Sequence, residues 1–316
     1  MASRHPTDAG TDGAGVHAQP LFLLAMDHRD SLARTVYGID GSPTPAEAEE
    51  ISAGKQLVYQ GLVEAVRRGA DPSRTGVLVD ERYGAAVARQ ARAAGLTLAM
   101  PIERSGQPWF TLEYGTLGDR SWLDHVDAFN PDHVKVLIRD NPGFGDHDRG
   151  TQQENLAAVS QMLRDVGRSL LLELLVPATP EQEARHGGSY DDALRPQLTE
   201  QVISDLQQAG VEPDIWKIEG LDAPEAAERI VAVAQQGGRE QVRCIVLGRD
   251  APPKDLDRWL GVAASVDGFH GFAIGRSIWE EPLAAHLSGK LSEERVIDQV
   301  ADNYLHYAAT YTDAQQ

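Results

Sequence analysis

The chain has 316 residues, a formal net charge of −19 and a single cysteine, with 41% of its residues hydrophobic and 24% charged. So large an acidic surplus argues against nucleic acid or an anionic membrane as partner, since both need a basic surface, and any small anionic ligand would need a locally basic pocket. A lone Cys244 excludes a disulfide framework within the chain and fits a reducing cytoplasm, and no apolar run reaches the length of a membrane span.

Residues 1–19 are rich in Gly, Ala, Thr and Asp, lack the apolar centre of a signal peptide and read as a disordered leader. From there eight short apolar runs recur. The first, 21–27, is followed by a loop and a long amphipathic stretch, 45–68, with Thr44 as its N-cap. The run 76–80 leads to a helix over 85–94. The run 96–103 leads through a longer connection bearing Trp109 and Tyr114 to a short helix over 122–129. Next comes 133–138, with an Asp- and Gly-rich loop before a helix over 152–166, then 169–176, with a polar segment through Tyr190 before a helix over 198–209. The runs 214–220, 242–247 and 268–275 follow, with helices over 224–235, 256–264 and 293–310. Unbroken alternation of strand and helix predicts an α/β fold, a single-domain (β/α)8 TIM barrel over residues 20–316. An open doubly wound sheet would carry a Gly-rich turn after its first strand, where this chain has Asp27-His28-Arg29-Asp30.

The chemistry centres on Asp214-Ile215-Trp216-Lys217-Ile218-Glu219-Gly220. Alternation puts Lys217 and Glu219 on one face of this strand, Trp216 and Ile218 on the other. An ammonium among apolar neighbours is unfavourable unless it is paired or serves, unprotonated, as an amine nucleophile. Only five of the 29 Lys and Arg residues are lysines, and Lys135 and Lys217 are the two that fall inside apolar strand-like runs. Active sites of such barrels lie at the C-terminal ends of the strands, which selects Asp27, Asp80, Glu103, Lys135, Glu173 and Lys217. With Lys135 as a second cation nearby, the charged form of Lys217 is disfavoured, and the free amine can add to a ketone to give a protonated imine, an electron sink for C–C bond chemistry. Glu173 suits proton movement, and Asp27 can hold or deprotonate a substrate hydroxyl.

Structural readings compete with these. Lys135 and Glu173 can form a buried ion pair, and Asp27 and Asp80 can cap loops. Gly275-Arg276 after the eighth strand and Gly248-Arg249 after the seventh read as an anion site, where glycine admits close backbone approach and arginine supplies a forked cation. His28 and Arg29, just past the first strand, count with the substrate-binding residues. Histidines 28, 133 and 270 leave a metal-dependent aldolase or epimerase open, though they lack the spacing of known ligand motifs; neither metal nor cofactor is expected.

Six segments in this order, Leu24-Ala25-Met26-Asp27-His28-Arg29, Val79-Asp80-Glu81-Arg82-Tyr83-Gly84, Val134-Lys135-Val136-Leu137, Leu172-Glu173-Leu174-Leu175-Val176-Pro177, Trp216-Lys217-Ile218-Glu219-Gly220 and Gly271-Phe272-Ala273-Ile274-Gly275-Arg276, carry a resemblance. Over residues 21–283 the chain resembles a class I aldolase family that includes tagatose-1,6-bisphosphate aldolase and, more closely, the 2-deoxy-5-keto-D-gluconate 6-phosphate aldolase of inositol catabolism. The resemblance implies a (β/α)8 barrel in which Lys217 forms the Schiff base with dihydroxyacetone phosphate or a ketose phosphate. It maps the family's other catalytic positions onto Asp27, Lys135 and Glu173 and its phosphate site onto Gly275 and Arg276, while Arg249 rests on spacing alone. The expected activity is metal-independent cleavage or formation of a phosphorylated keto sugar or keto acid, with dihydroxyacetone phosphate as the ketone product and 2-deoxy-5-keto-D-gluconate 6-phosphate as a candidate substrate. A barrel that binds a sugar phosphate without turning it over is the alternative from another class. The residues that choose the aldehyde are expected in loops 140–150 and 178–190, and a homo-oligomer is expected.

Overall fold

The eight apolar runs form eight parallel strands: β1 (Leu21–Ala25), β2 (Thr75–Leu78), β3 (Thr97–Pro101), β4 (His133–Arg139), β5 (Ser169–Leu175), β6 (Ile215–Glu219), β7 (Arg243–Leu247) and β8 (Phe269–Ile274). Each pairs with the next and β8 with β1, so the sheet closes into a barrel, as expected. The computed structural model describes residues 19–315; the leader expected at 1–19 lies, but for its last residue, outside them.

Twelve α-helices accompany the strands among the described residues: α1 (Asp30–Thr35), α2 (Pro45–Arg67), α3 (Glu81–Ala93), α4 (Trp122–Phe129), α5 (Asp146–Asp165), α6 (Pro180–His186), α7 (Tyr190–Ala193), α8 (Arg195–Gln208), α9 (Pro224–Gln235), α10 (Pro253–Ala264), α11 (Arg276–Leu287) and α12 (Glu293–Ala314). Thr44 caps α2 as expected, in a reciprocal capping box with Glu47, and Pro45 opens the helix. Three helical segments have no counterpart in the expected pattern, the first being α1, in the stretch expected as a loop after the first strand. α11 starts at Arg276 with no polar turn to mark it and contains Pro282, while the polar segment 178–190 folds into α6 and α7, with Thr179 and Gln182 forming another capping box. No helix among the described residues is long and apolar enough to cross a membrane.

Strand alternation divides the apolar residues into two cores. Leu23, Ala25, Leu78, Ala99, Leu171, Ile215, Ile245 and Ala273 fill the barrel interior, and the outward residues, Trp216 and Ile218 among them, join the larger core under the helices. Lys217 therefore turns inward with Ile215, as the alternation in β6 requires. Near the opposite end of the strands, Tyr304 and Tyr311 of α12 donate their hydroxyls to the carbonyls of Phe22 and Phe269, at 2.9 and 2.7 Å.

One irregularity sets the phase of the last strand. Cys244 pairs with Phe269 but Val246 with Phe272, so β8 carries an extra residue between two outward phenylalanines. The bulge brings Ala273 and Gly275 to the inner face, where simple alternation from Phe269 would have turned them outward. Gly271 makes it possible: its φ is +107°, and a Cβ there would sit 2.0 Å from the Leu21 carbonyl oxygen. We expect Gly271→Ala to destabilise the protein by about 2–4 kcal/mol, through the left-handed backbone and the clash together, in chemical denaturation. A loss within experimental error would show that β8 can straighten.

Candidate active site

At the C-terminal mouth of the barrel the inward positions change from apolar to charged. Asp27 follows β1, Glu103 follows β3, and Lys135, Glu173 and Lys217 stand on β4, β5 and β6. Register aligns Glu173 with Lys217 on the neighbouring strand, and all five side chains line one cavity of about 400 Å³, within the usual range of small-molecule sites. Each is nearly buried, Lys135 at 1% and Lys217 at 3% exposure.

Glu173 bridges the two lysines, with Oε1 2.9 Å from Lys217 Nζ and Oε2 3.0 Å from Lys135 Nζ. Lys135 also reaches Asp27 at 2.7 Å and Glu103 at 2.9 Å, so its three donors meet three carboxylates. The ion pair between Lys135 and Glu173 is therefore present, and the two lysines stand on either side of a shared carboxylate rather than side by side. Electrostatics separates the three acids. Burial alone would raise the Asp27 carboxyl, but Lys135, Lys217 and His28 hold it well below the usual carboxylate range. Burial likewise opposes the ionisation of Glu173, and the two lysines outweigh it. At Glu103 burial prevails over Lys135 and Arg29, and its pKa is raised. Burial disfavours the Lys135 ammonium, yet the three carboxylates together raise its pKa. Acids pushed apart in this way fall into distinct proton-handling roles.

The other anticipated residues divide between the cavity and its supports. Burial pushes the His28 imidazole down to about 4 despite the pull of Asp27, with Arg276, Lys217 and Lys55 adding to the shift, so His28 is neutral at neutral pH; its Nδ1 is buried without a partner. The unfolded imidazole takes up a proton near 6.5 and the folded one only near 4, so stability is lost as the pH falls through that window. We expect about 1–2 kcal/mol of loss between pH 7 and 5 from this group, discounted for its partial exposure, and a flatter profile in His28→Gln. Equal slopes for the two proteins would contradict the assignment. Arg29 lines the cavity but is engaged with Glu103 at 3.3 Å and Glu113 at 3.6 Å. Arg249 is held by Glu219 at 3.1 Å and Asp191 at 2.8 Å.

Gly275 and Arg276 do meet at the cavity wall, where α11 begins. A Cβ on Gly275 would lie 2.4 Å from the Ala25 carbonyl oxygen, so only glycine permits this approach of β8 to β1. Asp80 does not join the cavity: it caps α3 through the Tyr83 N–H at 2.9 Å and is ion-paired to the buried Lys55 of α2. Lys55, which the sequence left without a role, also donates to the carbonyls of Met26 and His28, at 2.7 and 2.9 Å, and so fixes the chain on either side of Asp27. His133 and His270 sit at the start of their strands, at the barrel end away from His28, so the three histidines do not converge. Among the described residues no group of three or more His, Cys, Asp or Glu could hold a metal ion.

The outer wall corrects an expectation. It is built by residues 103–110 and by the segment after β1, while residues 140–150 and 178–190 contribute no lining side chain. The reason is that α6 and α7 pack 178–190 beyond the rim, and Phe144 stands edge-on behind Trp109 at 5.8 Å instead of facing inward. Eight basic side chains line the cavity against five acidic ones, giving this acidic chain the basic pocket that a small anion needs. Arg34, Arg104 and Arg139 stand at the rim, exposed and engaged in none of the ion pairs described above.

The barrel is shared with solved structures of aldolases. An archaeal fructose 1,6-bisphosphate aldolase superposes with a TM-score of 0.54 at 16% identity, over 92% of this chain and 94% of its own. A Schiff base forming fructose-1,6-bisphosphate aldolase gives 0.51 at 16%, over 88% and 96%, and the fructose-bisphosphate aldolase of Slackia heliotrinireducens 0.53 at 14%, over 90% and 86%. At such identities the likeness establishes the fold alone. No curated protein matches the sequence. Residues 13–315 match the family described as "Uncharacterized protein conserved in bacteria (DUF2090)", and the chain belongs to that family.

Proposed function

We propose that this protein is a class I aldolase that uses Lys217 to form a Schiff base with dihydroxyacetone phosphate, making or breaking a C–C bond of a phosphorylated keto sugar or keto acid. The observation that carries the reading is the Lys217 side chain, buried at the floor of a basic cavity, with Glu173 at 2.9 Å as its one ion-pair partner among the described residues. The aldolases that share the fold, one of them Schiff base forming, support it.

The steps follow from the charges. Lys217 passes a proton to Glu173, and Nζ bonds to the ketone carbon while the carbonyl electron pair moves to oxygen, which takes the proton back from Glu173. The carbinolamine nitrogen then gives a proton to Glu173, which passes it to that hydroxyl; the oxygen leaves as water as the nitrogen lone pair forms the protonated imine. Glu173 takes a proton from the adjacent carbon to give an enamine, whose electron pair attacks an aldehyde carbon while the aldehyde oxygen takes up that proton; cleavage is the reverse. Asp27, held by Lys135 at 2.7 Å, suits orienting a substrate hydroxyl. Gly275 and Arg276 take the phosphate, with Gly248 beside them; Arg249, already held by two acids, is a weaker candidate. The resemblance of the sequence to the inositol-catabolic enzyme makes 2-deoxy-5-keto-D-gluconate 6-phosphate the first substrate to try.

Enamine formation can be tested without knowing the aldehyde. In D2O the protein should place one deuteron on the hydroxymethyl carbon of dihydroxyacetone phosphate, read by NMR, and should do so undiminished in excess chelator. No exchange by folded protein would favour a barrel that only binds, and exchange abolished by chelator would favour a metal-dependent enzyme.

A further inference from the structure

We infer that Asp250 is an internal competitor at the phosphate site, a tethered carboxylate that occupies Arg276 until a phosphate dianion displaces it. The inference rests on the assignment of Gly275 and Arg276 to the phosphate. Asp250 follows β7 in a turn closed by the Ala251 N–H donating to the Gly248 carbonyl at 3.0 Å. Within the turn Arg249 and Asp250 hold φ of +49° and +53°, two successive non-glycine residues in the left-handed region. Arg249 is pinned there by Glu219 and Asp191, so the next residue is directed into the cavity, and the Asp250 carboxylate meets Arg276 Nη2 in an ion pair.

This contact uses only part of the guanidinium. Arg276 Nε is buried without a hydrogen-bond partner among the described residues, and Glu280 stands 3.9 Å from it. Planar guanidinium favours two parallel bonds to an oxyanion, so the observed arrangement leaves a donor that a better-placed anion would take. An incoming monoanionic carboxylate offers no more charge than Asp250 and lacks the advantage of being tethered. A phosphate ester carries close to two charges at neutral pH and three acceptor oxygens, so it can displace Asp250 and engage Nη2 and Nε together. The N-terminus of α11, which no side chain caps, favours the same exchange. Asp250 thus lowers the apparent affinity of every anion that must displace it from Arg276.

The test compares binding of inorganic phosphate and of glycolate to the full chain at pH 7.5 by titration calorimetry. Asp250→Asn keeps the shape of the side chain and tolerates positive φ; Asp250→Gly removes the carboxylate without backbone strain and guards against an effect peculiar to the amide. Both should bind phosphate about ten-fold more tightly than the natural protein, and glycolate by a comparable factor, as competition for one guanidinium requires. Arg276→Gln should abolish the gain when combined with Asp250→Asn. Phosphate affinity that is unchanged or weaker in both Asp250 variants would overturn the inference, since Asp250 would then serve only to hold Arg276 in place. Deuterium exchange measured on the same proteins keeps the two proposals apart: exchange with unchanged phosphate affinity sinks the role of Asp250 alone, and tighter phosphate binding without exchange sinks the Schiff base alone.

Discussion

Lys217→Met is expected to lower aldol activity by roughly four orders of magnitude or more while leaving the protein folded, because it removes the covalent step and not merely a contact. Methionine fills nearly the same volume and is at home among Leu171, Ile215 and Ile245. Glu173 keeps its second partner, Lys135, at 3.0 Å, so the loss of the Lys217 ammonium strands no carboxylate. Deuterium exchange into dihydroxyacetone phosphate should disappear in parallel. A variant retaining even a hundredth of the activity would move the nucleophile elsewhere.

Lys135→Met should behave differently, with a large loss of stability as well as of activity. Asp27, Glu103 and Glu173 all converge on this one ammonium, and removing the shared partner of buried carboxylates destabilises by about 3–5 kcal/mol. The pH dependence distinguishes this cause from simple repacking. Asp27 and Glu173 have folded pKa values below their unfolded ones, so the stability they contribute is present above the ordinary carboxylate range and is lost as the pH falls toward the folded values. Lys135 has a folded pKa above its unfolded one, so its contribution is intact below the ordinary lysine range and is lost only as the pH rises through the folded value. In the variant the carboxylates lose that depression, and their protonation relieves the repulsion. Chemical denaturation should therefore show the deficit of Lys135→Met shrinking between pH 7 and pH 4. A deficit that is constant with pH, or below about 1 kcal/mol, would mean that the three acids are solvated or paired without Lys135.

How far the sequence discloses this site depends on whether a residue's fate is local. The side on which Lys217 points follows from alternation within five residues of β6, and the barrel follows from eight repeats of strand and helix. Asp80 and Glu103 show where local reading ends. Both are acids just past an apolar strand, yet Asp80 is drawn out of the cavity by Lys55, 25 positions away on α2, while Glu103 is drawn in by Lys135, 32 positions ahead on β4. No periodicity encodes such pairings. Gly271 is a second case, because the bulge that turns Gly275 inward exists only in the pairing of β8 with β7. The start of α11 is a third: with no capping side chain and no polar turn, it is marked only by the tertiary position of Arg276. The lining by residues 103–110 depends likewise on the Phe110 N–H donating to Gln152 of α5 at 3.0 Å, a contact across 42 residues.

The most direct measurement is borohydride reduction in the presence of dihydroxyacetone phosphate, followed by mass spectrometry of the digested protein. The chain offers five lysines, at 55, 135, 217, 254 and 290. One adduct is expected, on Lys217, and competing phosphate should diminish it. An adduct confined to another lysine, or none from folded protein with several ketose phosphates, would contradict the role given to Lys217.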